Sequence, residues 1–254
     1  HALLTGERQG YYADFGRVGD LVRALQEGFV YSGQYSVFRR RRHGSPSGAR
    51  PASQFVVFSQ NHDQAGNRAL GERLSTLVDL ESLKLAAGVV LLSPYIPLLF
   101  MGEEYGEKAP FLYFVSHSDE ALVESVRSGR RQEFKLAVGD GVIPDPQSPE
   151  TFARSKINWE LRKEGLHHIL CRYYRELVHI RTRFSAFSVD NGENREAWRL
   201  EAQSVIVARR WMAGLSHEAL CLFNFEQDGI LVSHAECFLG GSWYRFLESS
   251  DERS

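Results

Sequence analysis

Cysteine is scarce. The 254 residues hold three, Cys171, Cys221 and Cys237, widely spaced and without a Cys-x-x-Cys pair. This argues against a secreted disulfide framework and against a zinc site, and it predicts three buried, reduced thiols. An excess of either charge is also missing. Lys and Arg total 30 against 32 Asp and Glu, a net charge of -2, so no global basic field exists to hold nucleic acid or an anionic membrane. Nor is there an unbroken apolar span. The uncharged stretch 85–102 contains Ser93-Pro94 and Pro97, which would break a membrane helix midway and remove backbone donors. A buried helix, a turn and a short buried strand account for it better. With no secretory leader pattern in view, the reading is a soluble, cytoplasmic protein.

What is present is a globular composition, 43% hydrophobic and 24% charged. At roughly 150 residues per domain, the length corresponds to about 1.7 domains. The chain opens at His1 and closes in the polar run 249–254, so a fragment of a longer protein is expected. Residues 1–27 read as helical pieces and residues 28–54 as a Gly- and Pro-rich loop. That loop carries Arg39-Arg40-Arg41-Arg42-His43, taken as solvated or ligand-facing. Phe55-Val56-Val57-Phe58 has the continuous apolar pattern of a strand buried on both faces. Helical spacing follows at Leu74, Leu77, Leu80, Leu83 and Ala87, and then a second short strand at Leu98-Leu99-Phe100-Met101. Strand, helix, strand is βαβ grammar.

Further on, a helix is expected over 120–128, a loop over 139–149, and a long amphipathic helix with Leu166, Ile169, Leu170, Tyr173, Leu177 and Ile180 on one face. After Asn191-Gly192, short β-type runs at 204–211, 219–225, 230–239 and 243–247 predict a small antiparallel domain. The boundary is placed near 190, giving domains 1–190 and 191–254.

In α/β folds functional groups gather beyond the C-terminal ends of parallel strands. Two clusters occupy that place in the sequence, Asn61-His62-Asp63 and Glu103-Glu104. A carboxylate beside an imidazole can hydrogen-bond adjacent sugar hydroxyls and steady a developing cation. Composition and pattern alone lead no further than an enzyme-like α/β domain with carboxylates at its strand ends.

The run Phe58-Ser59-Gln60-Asn61-His62-Asp63-Gln64 resembles a signature segment of the alpha-amylase superfamily of glycoside hydrolases, at the end of barrel strand seven. Leu98-Leu99-Phe100-Met101-Gly102-Glu103-Glu104-Tyr105 is similar to its strand-eight segment. Longer runs resemble a trehalose-releasing branch: Gln60 to Arg68, the stretch from Leu3-Leu4-Thr5-Gly6-Glu7-Arg8 to Gly10-Tyr11-Tyr12-Ala13-Asp14-Phe15-Gly16, Ser125 to Phe134, and Pro144 to Phe152.

The resemblance implies the C-terminal part of a (β/α)8 barrel, from about helix six to helix eight, followed by a small antiparallel β-domain. It implies double displacement with retention at the α-1,4 bond beside the trehalose end of maltooligosyltrehalose. Asp63 would be the transition-state stabiliser and His62 would hold the same ring. Gln60, Asn61, Arg68, Glu103 and Glu104 would bind substrate. No metal and no cofactor are implied; the partners are the α-glucan substrate and a maltooligosyltrehalose-forming synthase. The nucleophilic Asp and the general-acid Glu of the family have no counterpart in this chain, so it is expected to be inactive alone. A partial barrel would also expose a strand edge and an apolar face.

Two other readings stay open at this level. One is a piece of a glycogen-branching or debranching relative. The other is a non-catalytic glucan-binding module using Trp159, Trp198, Trp211, Trp243 and Tyr12, aromatics that core packing explains equally well.

Overall fold

A computed structural model describes residues 1–138, 143–188, 194–200, 204–212, 214, 218–233, 237 and 242–250. In chain order they form α1 (Ala2–Thr5), α2 (Val18–Glu27), β1 (Ser32–Ser36), β2 (Arg41–Gly44), β3 (Val56–Val57), α3 (His62–Gly66), α4 (Leu74–Leu77), α5 (Leu80–Leu91), β4 (Ile96–Pro97), α6 (Glu120–Val138), α7 (Pro149–Arg154), α8 (Gly165–Arg183), β5 (Arg195–Arg199), β6 (Val205–Trp211) and β7 (Glu218–Asn224). Helices and sheets mix, and the largest sheet is antiparallel, in the order β5-β6-β7. Among the described residues no helix is long and apolar enough to cross a membrane. Contacts divide the chain into two compact units. One is His1–Ser59 with Lys84–Leu98 and Arg172–Ser254; the other is Gln60–Leu83 with Leu99–Cys171. The boundary placed near 190 falls on residues outside the described set.

In the first unit, strand period two sorts the sheet's side chains. Ile206 and Ala208 join Ala197, Cys221 and Phe223 in a core with Val18, Leu25, Ile180 and Phe187, while Val205 and Val207 pack with Leu200 and Cys237 on the other face. Each fully buried aliphatic or Phe side chain there stabilises the fold by about 1.5–3 kcal/mol. The start of α2 is set by Asp20, whose carboxylate accepts the Arg17 N–H at 3.0 Å. Its end is set by Gly28 at φ 90°, where a Cβ would stand 2.4 Å from the Phe55 ring. Only glycine fits that close approach.

The loop expected over 28–54 contains a β-hairpin instead, with Tyr35 opposite Arg42 and Ser36 opposite Arg41. Arginine-rich strands carry little intrinsic signal. What holds the turn is remote in sequence: the Asp14 carboxylate accepts the Tyr31 hydroxyl at 2.7 Å, the Ser36 hydroxyl, and the Val37 amide at 2.7 Å. Burial pushes the Asp14 pKa up, but the bonds from Ser36, Tyr31, Val37 and Phe38 outweigh it and leave the carboxyl below its ordinary value. A depressed folded pKa means that the contribution is complete above the unfolded pKa and is lost as pH falls through the folded one. Asp14→Asn is therefore expected to lower the melting temperature near neutral pH, at a cost of about 1–2 kcal/mol in lost hydrogen bonds. The gap between the two proteins should shrink in acid melts; a gap unchanged at pH 3 would contradict this role.

The strand readings at 55–58 and 98–101 need correction. Regular pairing is short and shifted: Val56 lies parallel to Ile96 and Val57 to Pro97, with the Ile96 and Leu98 amides donating to Phe55 and Val57 at 3.0 and 2.8 Å. Alternate amides make the ladder, so the missing N–H of Pro97 falls on the unpaired side. The strand is not buried on both faces either. Val56 is 52% exposed, and Ile96 and Leu98 are exposed, because this sheet has two strands among the described residues.

Elsewhere, α6 runs to Val138 rather than ending near 128, with Arg127–Glu124 and Arg130–Glu133 ion pairs at i,i+3 along it. The apolar stripe of α8 starts later than expected: Leu170, Tyr173, Leu177 and Ile180 are buried, but Leu166 is exposed. Strand β5 was not anticipated. No strand forms at 230–233 or 242–248, and residues 234–236 and 238–241 lie outside the described set. None of the three cysteines is in a disulfide; Cys221 and Cys237 are buried and Cys171 is only half-buried. The tryptophans are not core residues throughout, since Trp159 is exposed.

Candidate functional site

Both clusters singled out in the sequence belong to the second unit. After β3 the chain enters α3, a five-residue helix capped by Asn61, whose Oδ1 accepts the Gln64 amide at 2.9 Å. The cap is thus Asn61 and not Asp63. That leaves His62 and Asp63 in the first turn with side chains 69% and 71% accessible, and His62 Nε2 is 3.5 Å from Asp63 Oδ1. Gln60 points the other way. It is buried, and its Oε1 accepts the Leu74 amide at 3.1 Å, which anchors the start of α4. Arg68 Nε stands 3.4 Å from Glu72 Oε2.

The loop following α3 is held by a residue that carried no role in the sequence reading. Arg130, nearly buried, donates to the carbonyls of Gly66 and Arg68, both at 3.3 Å. Its guanidinium lies 4.8 Å from the Tyr113 ring centre and 4.5 Å from that of Phe134. Burial lowers its pKa, and Glu133 opposes that shift. Arg130 also lines a cavity of about 300 Å³ with Arg127, Arg131, Glu124 and Asp145.

The second cluster divides likewise. Glu103 and Glu104 lie in a single 3-10 turn, Glu103–Tyr105. Glu103 is buried, and its carboxylate accepts the Phe100 amide at 3.0 Å; Glu104 is half-buried. Neighbouring Glu107, which the sequence reading passed over, has the larger structural part. It is 1% exposed, and its oxygens accept the amides of Lys108 and Ala109 at 2.8 Å, the Tyr105 hydroxyl at 3.0 Å and the Asn158 amide.

Buried Arg73 completes this group by donating to the carbonyls of Ala109 at 2.7 Å and Met101 at 2.8 Å, with its guanidinium 4.7 Å from the Phe100 ring. Burial lowers the Arg73 pKa, and the negative field of Glu107 is the foremost influence resisting it. Burial, aided by the bond to Glu107, pushes the Tyr105 phenol well up. Nothing local in the sequence marks Glu107 or Arg73, because Glu107 is joined to Asn158 far along the chain and both Arg73 bonds are to remote carbonyls.

An exposed carboxylate with an adjacent imidazole, on a capped turn, can accept hydrogen bonds from neighbouring hydroxyls and stabilise positive charge opposite it. Among the described residues no group of three His, Cys, Asp or Glu side chains could hold a metal ion.

No family model matches the chain. Known proteins do. It is 49% identical over 197 residues to malto-oligosyltrehalose trehalohydrolase of Saccharolobus solfataricus, covering 76% of this chain and 33% of that protein. The trehalohydrolase of Mycobacterium tuberculosis is 46% identical over 186 residues, covering 71% and 32%. The chain is a relative of the malto-oligosyltrehalose trehalohydrolases. It spans about a third of the length of these trehalohydrolases.

Beside them stands a crystal structure from Salmonella typhimurium provisionally described as an alpha amylase. It superposes with a TM-score of 0.82 at 38% identity, over 92% of this chain and 40% of that one. The resemblance of the chain as a whole to the alpha-amylase superfamily thus has support from sequence and from fold.

Proposed function

We propose that this chain contributes the third acidic residue, and part of the substrate cleft, to a retaining glycoside hydrolase that releases trehalose from maltooligosyltrehalose. The exposed His62–Asp63 pair carries this reading, because of Gln60, Asn61, His62, Asp63, Arg68, Glu103 and Glu104 only these two are open to solvent where a sugar could meet them. Asp63 would accept hydrogen bonds from two ring hydroxyls and stabilise the oxocarbenium-like transition state, with His62 on the same ring. Glu103 and Gln60, both buried and bonded to backbone amides, are better suited to shaping the cleft than to touching the glucan.

In this reading residues 1–190 form the last strands and helices of a (β/α)8 barrel, and residues 191–254 form a C-terminal β-domain. The nucleophilic Asp and general-acid Glu come from outside the chain. The enzyme acts in the cytoplasm, downstream of a synthase that forms maltooligosyltrehalose.

The 254-residue chain incubated with maltooligosyltrehalose is expected to release no trehalose above the blank, since catalytic carboxylates act as a unit. Chromatographic detection of trehalose checks this. Turnover by the chain alone would mean that its own carboxylates suffice.

A further inference from the structure

His62 and Asp63 stand on a helix too short to hold itself. α3 is five residues long, and isolated helices below about 12 residues are marginal in water. Its front end is fixed by the Asn61 cap. At the other end the last carbonyls of a helix find no partner in a following turn. The carbonyls of Gly66, the final residue of α3, and of Arg68, just beyond it, both accept from Nη2 of Arg130 at 3.3 Å. Between those two residues the Asn67 amide donates to the Asp63 carbonyl at 3.1 Å. One nitrogen on α6, 64 residues beyond Gly66, therefore grips the chain on both sides of a residue bonded to Asp63.

Arg130 is itself held. It is buried, its guanidinium lies over the rings of Tyr113 and Phe134, and its Nη1 is 3.5 Å from Glu133 Oε2. The segment bearing Tyr113 is anchored in turn, with the Phe111 amide donating to the Gly71 carbonyl at 2.8 Å and the Leu112 amide to the Ser155 hydroxyl at 3.1 Å. Stacking on rings while bridging two acceptors suits a planar guanidinium and not an ammonium. Nearby arginines of α6 do otherwise: Arg127 is bonded to the Asp145 carboxylate and Arg131 to that of Glu124.

We propose that Arg130 is a positioning residue for the glucan reaction. By holding both carbonyls at the end of α3, it fixes the direction in which Asp63 and His62 meet the sugar ring. This rests on the reading of Asp63 as the transition-state stabiliser.

Two measurements test it. On the 254-residue chain, amide hydrogen exchange at Asn67 is compared with that at Leu170, buried in α8. Arg130→Met is expected to speed exchange at Asn67 by about tenfold or more and to leave Leu170 unchanged, because local opening is separable from global unfolding. Kinetics come from the chain combined with a polypeptide carrying the preceding two thirds of the Saccharolobus solfataricus relative. There Arg130→Met should lower kcat by about 10–100-fold with little change in KM, the effect of a misplaced group. In an Asp63→Asn background the same substitution should cost less than about threefold, since Arg130 acts through Asp63. Arg130→Lys, which keeps the charge without the planar fork, should fall between native and Met, and it replaces the Met variant should that chain not fold. Arg131→Met, at an exposed position, should behave as the native chain.

Equal acceleration at Asn67 and Leu170 would leave Arg130 a contributor to stability only and overturns the assignment. So does an unchanged Asn67. Losses from Arg130→Met and Asp63→Asn that simply add also overturn it, while leaving Asp63 in the reaction. If the combined native chains show no turnover, or Asp63→Asn leaves it intact, the reading of Asp63 fails and the role of Arg130 in the reaction falls with it.

Discussion

Glu107→Ala is expected to destabilise the protein by about 3–5 kcal/mol, the cost of removing one partner from a buried, hydrogen-bonded charge group. For a chain of this size that is a fall in melting temperature of roughly 10 °C. The reason lies in what Glu107 leaves behind. Its loss strands the buried Tyr105 hydroxyl, takes the acceptor from the part-buried amides of Lys108, Ala109 and Asn158, and strips Arg73 of the strongest negative field opposing its desolvation. Glu107→Gln keeps the shape and one acceptor oxygen, so it should cost less than the alanine variant. Arg73→Met alone should also destabilise, and the double variant Arg73→Met, Glu107→Leu should lose less than the sum of the two single changes. Urea and thermal melts of the four proteins measure this. A Glu107→Ala chain within 1 kcal/mol of the native one would remove Glu107 as the organiser of the segment bearing Glu103 and Glu104.

The second large effect concerns chemistry and rests on the proposed function. If the chain is combined with a polypeptide carrying the preceding two thirds of the Saccharolobus solfataricus relative, trehalose release should appear. Asp63→Asn should then lower kcat/KM by about 10²–10³-fold, or ~3–4 kcal/mol, the usual cost of losing one preorganised electrostatic group. His62→Ala, which removes a ring contact and not the charge, should lose less and show it mainly in KM. Both variants should melt like the native chain, because the two side chains lie about two-thirds open to solvent. Asp63→Asn with unchanged turnover would exclude Asp63 from the reaction. Asn61→Ala is a control of another kind, since it removes the cap that sets the orientation of α3.

Some of this architecture was legible from local pattern. The α2, α5 and α8 helices, strands β6 and β7, the breaks at Ser93-Pro94 and the position of His62–Asp63 just after a strand all follow from periodicity, turn residues and capping, which operate within a few residues. The Asn61 cap could have been read as well: an Asn with a free amide three residues on is an N-cap signature. The hairpin could not, because its turn is held by Asp14, 22 residues before Ser36. Glu107 and Arg73 were equally silent. A lone Glu in Gly106-Glu107-Lys108 looks like solvated loop until Asn158, 51 residues later, is seen donating to it.

The scarcity of cysteine and of net charge by itself argued against a disulfide framework, a zinc site and a global basic field for nucleic acid. The order of its motifs settled which glycosidase relatives it resembles, since long runs agreeing in sequence need no coordinates. Tertiary structure decided the direction in which each polar group points. Within one run, Gln60 turns inward to an amide and His62–Asp63 turn outward to solvent. On one strand, Arg209 meets two carboxylates and Arg210 meets another arginine. Identical residue types acquire opposite roles because desolvation and the nearest charge, both set by packing between distant segments, determine what a side chain can do.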